Sequence, residues 1–400
     1  MREASGTSPD GSRPLPAGGL RAAVTIGKGV HMSMTTVAAV CREPGRPWEV
    51  TELELDEPKA NEVRIKFHAA GLCHSDDHIQ KGDARMRFPV VGGHEGAGVV
   101  DAVGDGVTRV SAGDHVVCSF IPACGSCRYC STGRQNLCDA GKNASTGLFA
   151  DGTFRFHQNG EDFGGLCVLG TFSQFAVVSE FSCIPIPEDI PFDSAALVAC
   201  GVPTGWGTAV HAAGVRAGQT VVIYGSGGVG SNAVQGARLA GAKNVVVVDP
   251  VEFKREKAME FGATHTFASA KEAHDFVVET TWGELADHAI ITVGVLHDEV
   301  IHDALAVVGK RGTVTITAVG NGSVEENPGM FIGYQRTVQG AIFGGCNPLV
   351  DVPRLLGLYR SGDLKLDELI TRRYRLEDVN QGYQDMLDGR NIRGVIIHEH

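Results

Sequence analysis

The sequence lacks several features that mark particular classes of protein. No apolar run reaches the roughly 18–20 residues that a membrane-spanning helix needs, so we expect no membrane partner. Basic residues are not in excess, and a formal net charge of −12 argues against binding to nucleic acid. The N-terminus lacks the apolar centre of a secretory signal, which predicts a cytoplasmic protein.

The composition is that of a soluble globular protein with more than one domain. Of the 400 residues, 43% are hydrophobic and 20% are charged, and this length is too great for one compact core. Residues 1–33 differ from the rest because they are rich in Gly, Ser, Pro and Ala without hydrophobic periodicity. We predict a disordered N-terminal extension there, with the functional chain beginning near Met32 or Met34.

The first part of the chain after this extension has the pattern of β-strands separated by glycine turns. Its clearest run, residues 63–67, alternates strictly between apolar and polar residues. This pattern predicts a β-rich, barrel-like domain. Further strands are predicted at residues 37–41, 48–55, 96–103 and 114–120.

A second pattern begins after Cys200. An apolar strand at residues 220–224 is followed by a glycine-rich turn and by helical periodicity over residues 231–240. The next strand ends at Asp249, 19 residues after the last glycine of the turn. A lone G-x-G-x-x-G is weak evidence, but in this context it is the fingerprint of a Rossmann unit. The turn comprises Gly225, Ser226, Gly227, Gly228, Val229 and Gly230.

This fingerprint also favours one cofactor. The glycines let backbone N–H groups approach a pyrophosphate at the positive end of a helix. Asp249 would accept hydrogen bonds from the adenosine ribose and repel a 2′-phosphate, which favours NAD over NADP. Lys254 lies one short turn further on, where it either reaches the ribose or is an ordinary solvated lysine. Strands predicted at residues 289–292 and 312–318 complete a doubly wound α/β sheet.

The last strand, residues 394–398, is expected to return to the first domain. Arg393 directly precedes it and is a candidate clamp for the cofactor pyrophosphate, because a guanidinium fork suits phosphate geometry.

Cys73, His94 and Cys200 are candidate ligands of a metal in the cleft between the two domains. Thiolates and imidazoles suit zinc, and a catalytic zinc takes three protein ligands and leaves a fourth position open. Either cysteine alone would more often be a small buried apolar residue. However, His94 and Glu95 lie within Gly-Gly-His-Glu-Gly-Ala-Gly, and an ordinary strand has little use for so much glycine.

Four more cysteines follow the spacing C-x-x-C-x-x-C-x7-C. Without an export signal they are not expected to form disulfides, and four thiolates suit a closed structural zinc site. An iron–sulfur cluster is the competing interpretation, although the ferredoxin spacing has three residues, not seven, between the third and fourth cysteines and a proline after the fourth. The four are Cys124, Cys127, Cys130 and Cys138.

Together these motifs resemble the zinc-dependent medium-chain alcohol dehydrogenases, over residues 36–400. The chain more narrowly resembles the NDMA-dependent, mycofactocin-associated alcohol dehydrogenases of actinobacteria. The local sequences that carry this resemblance are residues 71–76, 89–98, 133–138 and 249–254. The resemblance implies a GroES-like catalytic domain over residues 34–201 and 343–400, with a structural-zinc lobe at 118–140. It also implies a Rossmann NAD-binding domain over residues 202–342, two zinc ions per chain, and a homo-oligomer, either dimer or tetramer.

The resemblance assigns roles by position. Cys73, His94 and Cys200 resemble the catalytic zinc ligands, and the four-cysteine set resembles the structural zinc site. Ser75 takes the place of the hydroxyl that passes on the alcohol proton, although a serine there can simply bond its own turn. The other correspondences are His78 as the surface histidine that ends this relay, His74 as a cofactor-phosphate contact, Asp76 as the partner that orients His94, Glu95 as the carboxylate behind the zinc, Phe120 in the substrate pocket, and Thr204 near the nicotinamide.

The activity implied is oxidation of alcohols to aldehydes with hydride transfer to NAD. The narrower resemblance implies that NAD stays bound and is reoxidised in place, by NDMA in vitro and by mycofactocin in the cell. One alternative is a thiol-dependent formaldehyde dehydrogenase, which oxidises an S-hydroxymethyl-thiol adduct with exchangeable NAD. Another is a non-catalytic module that binds NAD and zinc; a missing zinc ligand would favour it, and none is missing.

Overall fold

A computed structural model of the protein describes residues 33–324 and 327–400, so the extension predicted up to residue 32 lies outside it. Ser33, which the sequence interpretation placed in that extension, is instead the first residue of a strand. The strands are β1 (Ser33–Cys41), β2 (Glu49–Asp56), β3 (Glu62–Gly71), β4 (Val90–Val91), β5 (Gly96–Val103), β6 (His115–Cys118), β7 (Phe156–Gln158), β8 (Glu161–Gly165), β9 (Phe175–Ser179), β10 (Cys183–Pro185), β11 (Thr220–Tyr224), β12 (Asn244–Val248), β13 (His265–Phe267), β14 (Ala286–Ile291), β15 (Val308–Ile316), β16 (Thr337–Gly340), β17 (Ile370–Tyr374) and β18 (Arg393–Ile397). The α-helices are α1 (His74–Lys81), α2 (Phe192–Leu197), α3 (Gly201–Gly207), α4 (Gly228–Leu239), α5 (Glu252–Glu260), α6 (Ala270–Thr280), α7 (Asp298–Val307), α8 (Pro328–Tyr334), α9 (Pro348–Arg360) and α10 (Val379–Leu387).

The first part of the chain forms a closed barrel and an adjoining sheet, which confirms the predicted β-rich domain. The barrel order is β1-β2-β7-β8-β4, and the sheet order is β10-β6-β5-β3-β18-β17, with β9 also paired to β3. Ile65 and Phe67 of β3 are fully buried, as the alternating pattern predicts. The C-terminal strand β18 pairs antiparallel with β3, so the end of the chain returns to this sheet.

The Rossmann sheet has six parallel strands in the order β13-β12-β11-β14-β15-β16. All residues of β11 and β12 are buried, because helices cover both faces. Val221 and Ile223 belong to a core that includes α4, whereas Val222 and Tyr224 belong to one that includes α7. The strand order reverses between β11 and β14, which places the cofactor crevice at their carboxyl ends.

The chain passes between the two sheets through α3, which directly follows Cys200. Gly205 of α3 has no Cβ, and a Cβ there would collide with the carbonyl oxygen of Val229 in α4. Glycine at this position therefore lets α3 lie directly against the helix that follows the glycine-rich turn.

The domain bounds stay a prediction. Within the described ranges, no helix combines the length and the apolar character needed to cross a bilayer.

Candidate active site

Four potential metal ligands meet at the junction of the two sheets. The Sγ atoms of Cys73 and Cys200, a ring nitrogen of His94 and a carboxylate oxygen of Glu95 all lie within 4.8 Å of one another. Cys73 directly precedes α1, and Cys200 directly precedes α3. The structure therefore brings together the three predicted ligands of the catalytic zinc, with Glu95 beside them.

Asp76 fixes the orientation of His94. Its carboxylate lies 3.0 Å from Nδ1 of His94 and accepts a second hydrogen bond from the backbone N–H of Gly93 at 3.2 Å. Because Nδ1–H donates to Asp76, Nε2 is the ring nitrogen that a metal can bind once it has lost its proton. Burial lowers the pKa of His94, but Asp76 and Cys73 outweigh burial and raise that pKa well above its usual value.

The pKa values of the two cysteines of the cluster shift in opposite directions. Their mutual hydrogen bond, together with His94, holds the pKa of Cys73 well below its usual range, and the same contact raises the pKa of Cys200 well above it. Two sulfurs and an imidazole nitrogen are thus held close together. A divalent cation among them would favour two thiolates and a neutral imidazole, so this donor set fits zinc.

Glu95 is ion-paired with Arg393, and the two side chains are 0% and 4% exposed. Burial raises the pKa of Glu95 to about 7 against the opposing charge of Arg393. Oε1 of Glu95 and Nε of Arg393 find no hydrogen-bond partner among the described residues. A Cβ at Gly228 would collide with the Arg393 side chain, so this arginine lies against the glycine-rich turn. Arg393 therefore reaches both the metal cluster and the predicted pyrophosphate position.

The position predicted for His78 is wrong in one respect. The sequence interpretation placed this histidine at the surface, but it is 3% exposed. Nε2 of His78 lies 2.9 Å from the carbonyl oxygen of Gly294, in the segment after β14, and Nδ1 lies 3.3 Å from the carboxylate of Asp83. The Asp83 side chain is 58% exposed, so His78 contacts a carboxylate that reaches solvent. At the inner end, Ser75 Oγ lies 3.6 Å from Cys73 Sγ.

The glycine-rich turn joins β11 to α4, as predicted. Gly225 has φ +88°, and a Cβ at Gly230 would collide with the carbonyl oxygen of Gly225, so both positions require glycine. Asp249 ends the next strand beside this turn and is 4% exposed. Its carboxylate accepts hydrogen bonds from the backbone N–H groups of Ser226 at 2.8 Å and Val251 at 2.9 Å.

Two predicted residues line the metal cluster directly. Thr204 Oγ1 lies 4.0 Å from Cys200 Sγ. The Phe120 ring meets the His94 ring edge-on at 5.7 Å between centroids, and it packs in the same way against Phe343 at 5.3 Å. The sequence interpretation missed Phe343, because no motif surrounds it.

His74 lies on the side of the cofactor sheet. A Cβ at Gly294 would come within 2.8 Å of His74 Nε2. Burial lowers the pKa of His74, and the charge of Lys254, in α5, adds a smaller effect in the same direction. Gly294 was also missed, although its place after β14, at the carboxyl edge of the sheet, is a signal that could have identified it.

The other four cysteines form a separate cluster, with all Sγ atoms within 4.8 Å of one another. Backbone N–H groups of Cys127 and Cys130 donate to the sulfurs of Cys124 and Cys127 at 3.4 and 3.5 Å. Such bonds favour thiolates, and against the effect of burial they lower the pKa of Cys124 to about 6. Four ligands leave no open position, as in a structural zinc site. The remaining member is Cys138, whose sulfur accepts a hydrogen bond from the backbone N–H of Cys124 at 3.4 Å.

Comparison with known proteins agrees with this geometry. The family profile "Alcohol dehydrogenase GroES-like domain" matches residues 59–188, and "Zinc-binding dehydrogenase" matches residues 228–359. The NDMA-dependent alcohol dehydrogenase of Amycolatopsis methanolica is 57% identical over 368 residues, which cover 91% of this chain and 99% of that protein. The chain belongs to the zinc-dependent alcohol dehydrogenases.

Two further dehydrogenases are similar along nearly the whole chain. The S-(hydroxymethyl)glutathione dehydrogenase of Paracoccus denitrificans is 37% identical over 379 residues, 91% of this chain and 100% of that protein. The crystal structure of benzyl alcohol dehydrogenase from Acinetobacter calcoaceticus has a TM-score of 0.85 at 26% identity, covering 92% and 100% of the two chains.

Membership of this family excludes one of the alternatives left open by the sequence. The protein is an enzyme with a GroES-like fold and a Rossmann fold, and it uses NAD and two zinc ions per chain. The interpretation as a non-catalytic module is therefore wrong. The assignment of the four-cysteine cluster to a structural zinc, rather than to an iron–sulfur cluster, stays a prediction.

Proposed function

We propose that this alcohol dehydrogenase oxidises alcohols to aldehydes at the Cys73–His94–Cys200 cluster, with an NAD that stays bound and is reoxidised in place. The observation that carries the proposal is the 57% identity, over 91% of the chain, to an NDMA-dependent alcohol dehydrogenase. We propose NDMA as the acceptor in vitro and mycofactocin as the acceptor in the cell. The thiol-dependent alternative has weaker support, since identity to the S-(hydroxymethyl)glutathione dehydrogenase is 37%.

The zinc-binding roles rest on the donor set. Cys73, His94 and Cys200 would hold the catalytic zinc, and Asp76 would keep the His94 proton on Nδ1. When bound, the zinc lowers the pKa of the alcohol and NAD accepts the hydride. Glu95 stands behind the ligands, where its ion pair with Arg393 limits how much negative charge the cluster carries. Cys124, Cys127, Cys130 and Cys138 would hold the structural zinc.

The chain supplies a route for the alcohol proton. Ser75 is the hydroxyl nearest the ligands and is placed to take that proton, since its Oγ lies 3.6 Å from Cys73 Sγ. His78 would carry the proton onward to Asp83, whose exposed carboxylate lies 3.3 Å from Nδ1. Nε2 of His78 lies 2.9 Å from the carbonyl oxygen of Gly294, so it must leave that acceptor before it can take a proton from the side of Ser75.

The cofactor residues form one connected surface. The glycine-rich turn and Arg393 would bind the pyrophosphate, and the free Nε of this buried arginine is the donor left for it. Asp249 would accept from the adenosine ribose, because each carboxylate oxygen keeps a second lone pair beyond its backbone hydrogen bond. The other contacts proposed are Lys254 at the ribose, His74 at a phosphate and Thr204 at the nicotinamide.

Retention of NAD is supported by how Arg393 is held. This side chain joins the glycine-rich turn to Glu95 of the metal cluster through a fully buried ion pair. Breaking a buried ion pair is strongly unfavourable, so the groups around the pyrophosphate are not free to move apart separately.

Phe120 and Phe343 form an apolar wall beside His94, which favours alcohols with an apolar group next to the reacting carbon.

The domain bounds, the cellular location and the oligomeric state are also proposed from the family resemblance. The catalytic domain would comprise residues 34–201 and 343–400, and the Rossmann domain residues 202–342. We propose a cytoplasmic homo-oligomer that associates through its cofactor domains. Near the edge of the Rossmann sheet, Val319 is 50% exposed and Ile332 is 79% exposed, and an interface would cover such apolar side chains.

The test uses enzyme purified without added nucleotide. A primary alcohol is added, the absorption of reduced nicotinamide is recorded, and zinc is counted on the same sample. The proposal predicts two zinc ions per chain and a rise stoichiometric with enzyme, followed by its decay when NDMA is supplied. A rise only after free NAD is added would show an ordinary exchanging dehydrogenase. A requirement for a low-molecular-weight thiol would instead favour the formaldehyde dehydrogenase alternative.

A further inference from the structure

A third group of metal-type ligands lies outside both zinc sites. A ring nitrogen of His211, the Sγ atom of Cys346 and a carboxylate oxygen of Asp351 lie within 4.8 Å of one another. Over residues 33–324 and 327–400, only three groups of His, Cys, Asp and Glu meet this limit, and the other two are the clusters already described. We propose that His211, Cys346 and Asp351 bind a third zinc ion.

Three separate segments build this site. His211 lies on a π-helical turn, Thr208–Ala212, which directly follows α3. Such turns are rare and occur often at functional sites, because the extra residue re-aims a side chain. Cys346 precedes α9, and Asp351 lies in the first turn of that helix. The three ligand types are those that zinc accepts, with one soft, one borderline and one hard donor.

The local contacts leave a donor atom of each residue available. Nε2 of His211 lies 3.3 Å from Oδ2 of Asp351, which also accepts a hydrogen bond from the backbone N–H of Asn347 at 2.8 Å. This oxygen has a second lone pair, so a cation between the two side chains would replace only the contact with His211. Arg354 holds the other oxygen, Oδ1, at 2.7 Å. Cys346 Sγ donates to the carbonyl oxygen of Pro203 at 3.3 Å, and its proton would be released on metal binding.

Access differs among the three ligands. Cys346 is 0% exposed and Asp351 is 4% exposed, whereas the His211 side chain is 32% exposed. An ion can therefore enter from the side of His211, and water can fill the fourth position there. The competing account is an ordinary ion pair between His211 and Asp351 beside a buried thiol. In that account Cys346 does not bind a metal, so replacing Cys346 distinguishes the two accounts.

The site lies beside α3, the helix that directly follows Cys200. Cys346 contacts α3 at Pro203, next to Thr204 and three residues after Cys200. A bound ion would fasten α3 and the turn that follows it to α9. We therefore expect its binding to change metal content and thermal stability, with alcohol oxidation kept.

The test starts from full-length enzyme that carries two zinc ions and is dialysed against buffered free zinc under a non-thiol reductant. Wild type should bind a third equivalent, and Cys346→Ser and His211→Gln should bind it at least about tenfold more weakly, since even indirect partners of a metal contribute 10–100-fold. Cys41→Ser, at another buried free thiol, and His274→Gln, at another partly exposed histidine, are the matched controls and should keep it. Retained alcohol oxidation shows that each variant is folded and holds its catalytic zinc.

Cobalt then identifies the ligands. Co²⁺ added to the two-zinc enzyme should give a thiolate-to-cobalt charge-transfer band in wild type and both controls, and Cys346→Ser should abolish it. In a thermal melt, excess zinc should raise the melting temperature of wild type but not of Cys346→Ser. Only two zinc ions bound by wild type at saturating free zinc would overturn the proposal. So would a third ion that all variants bind equally, or a cobalt spectrum without a thiolate band.

Discussion

The two zinc clusters of this enzyme are assembled in opposite ways. The structural cluster takes all four cysteines from residues 124–138, where short 3₁₀ turns and backbone N–H groups direct the sulfurs inward. The catalytic cluster takes Cys73, His94 and Cys200 from three distant segments that meet only in the folded chain. A local cluster can be identified from spacing alone, whereas a distributed one depends on the whole fold.

The surroundings differ as much as the assembly. Backbone N–H groups surround the structural cluster, and they favour thiolates without offering a titratable partner. Around the catalytic cluster stand Asp76, Glu95 and Arg393, all ionisable and all nearly or fully buried. Each of these contacts can tune charge at the metal, which a purely structural site does not need. The comparison predicts that changes at one cluster abolish chemistry and changes at the other weaken the fold.

The largest expected effect is that of Cys200→Ser. Loss of one ligand should remove the catalytic zinc and reduce alcohol oxidation by more than about 100-fold, beyond the effect of losing an indirect partner. The melting temperature should change little. Zinc counting, steady-state kinetics and a thermal melt check this, with Cys41→Ser as the control. Two zinc ions with substantial activity in the variant would contradict the assignment of Cys200.

Cys138→Ser tests the other cluster. Because metal binding to a closed site contributes directly to folding, we expect a loss of more than about 3 kcal/mol in the free energy of unfolding. Urea denaturation and zinc counting measure it. An unchanged urea midpoint with only one zinc remaining would show that this lobe does not need its metal.

Asp76→Asn should lower activity or affinity for the catalytic zinc by about 10–100-fold, because the amide no longer fixes the His94 proton on Nδ1. Asp77→Asn is the matched control, since Asp77 is equally buried on the same helix but pairs with Lys81. The measurement is activity at a series of buffered zinc concentrations. Equal activity of the two variants at every zinc concentration would contradict the proposal that Asp76 orients His94.

Ser75→Ala should have the smallest effect, about tenfold slower alcohol oxidation, since water can replace part of the proton route. The deficit should shrink as pH rises, because the alcohol then loses its proton more readily without a relay. Zinc content should stay at two. A pH–rate profile identical to that of wild type would show that Ser75 only bonds its own turn.

Motifs that lie within one short stretch of chain could be predicted from the sequence. The glycine-rich turn, Asp249 and the four-cysteine spacing are of this kind, and the structure places them as expected. The pairing of Arg393 with Glu95 was not predictable, because it depends on β18 lying beside β3. The burial of His78 was not predictable either, since Gly294, which covers it, comes from the other sheet.

The central claim is that one zinc serves chemistry and the other serves the fold. The most direct measurement follows zinc content, alcohol oxidation and near-ultraviolet circular dichroism together during slow removal of metal by a chelator. The Cys346→Ser background excludes the proposed third site. The open catalytic site should lose its ion first, so activity should fall in proportion to the first zinc while the dichroism persists. Activity that survives loss of the first zinc, or dichroism that collapses with it, would contradict the claim.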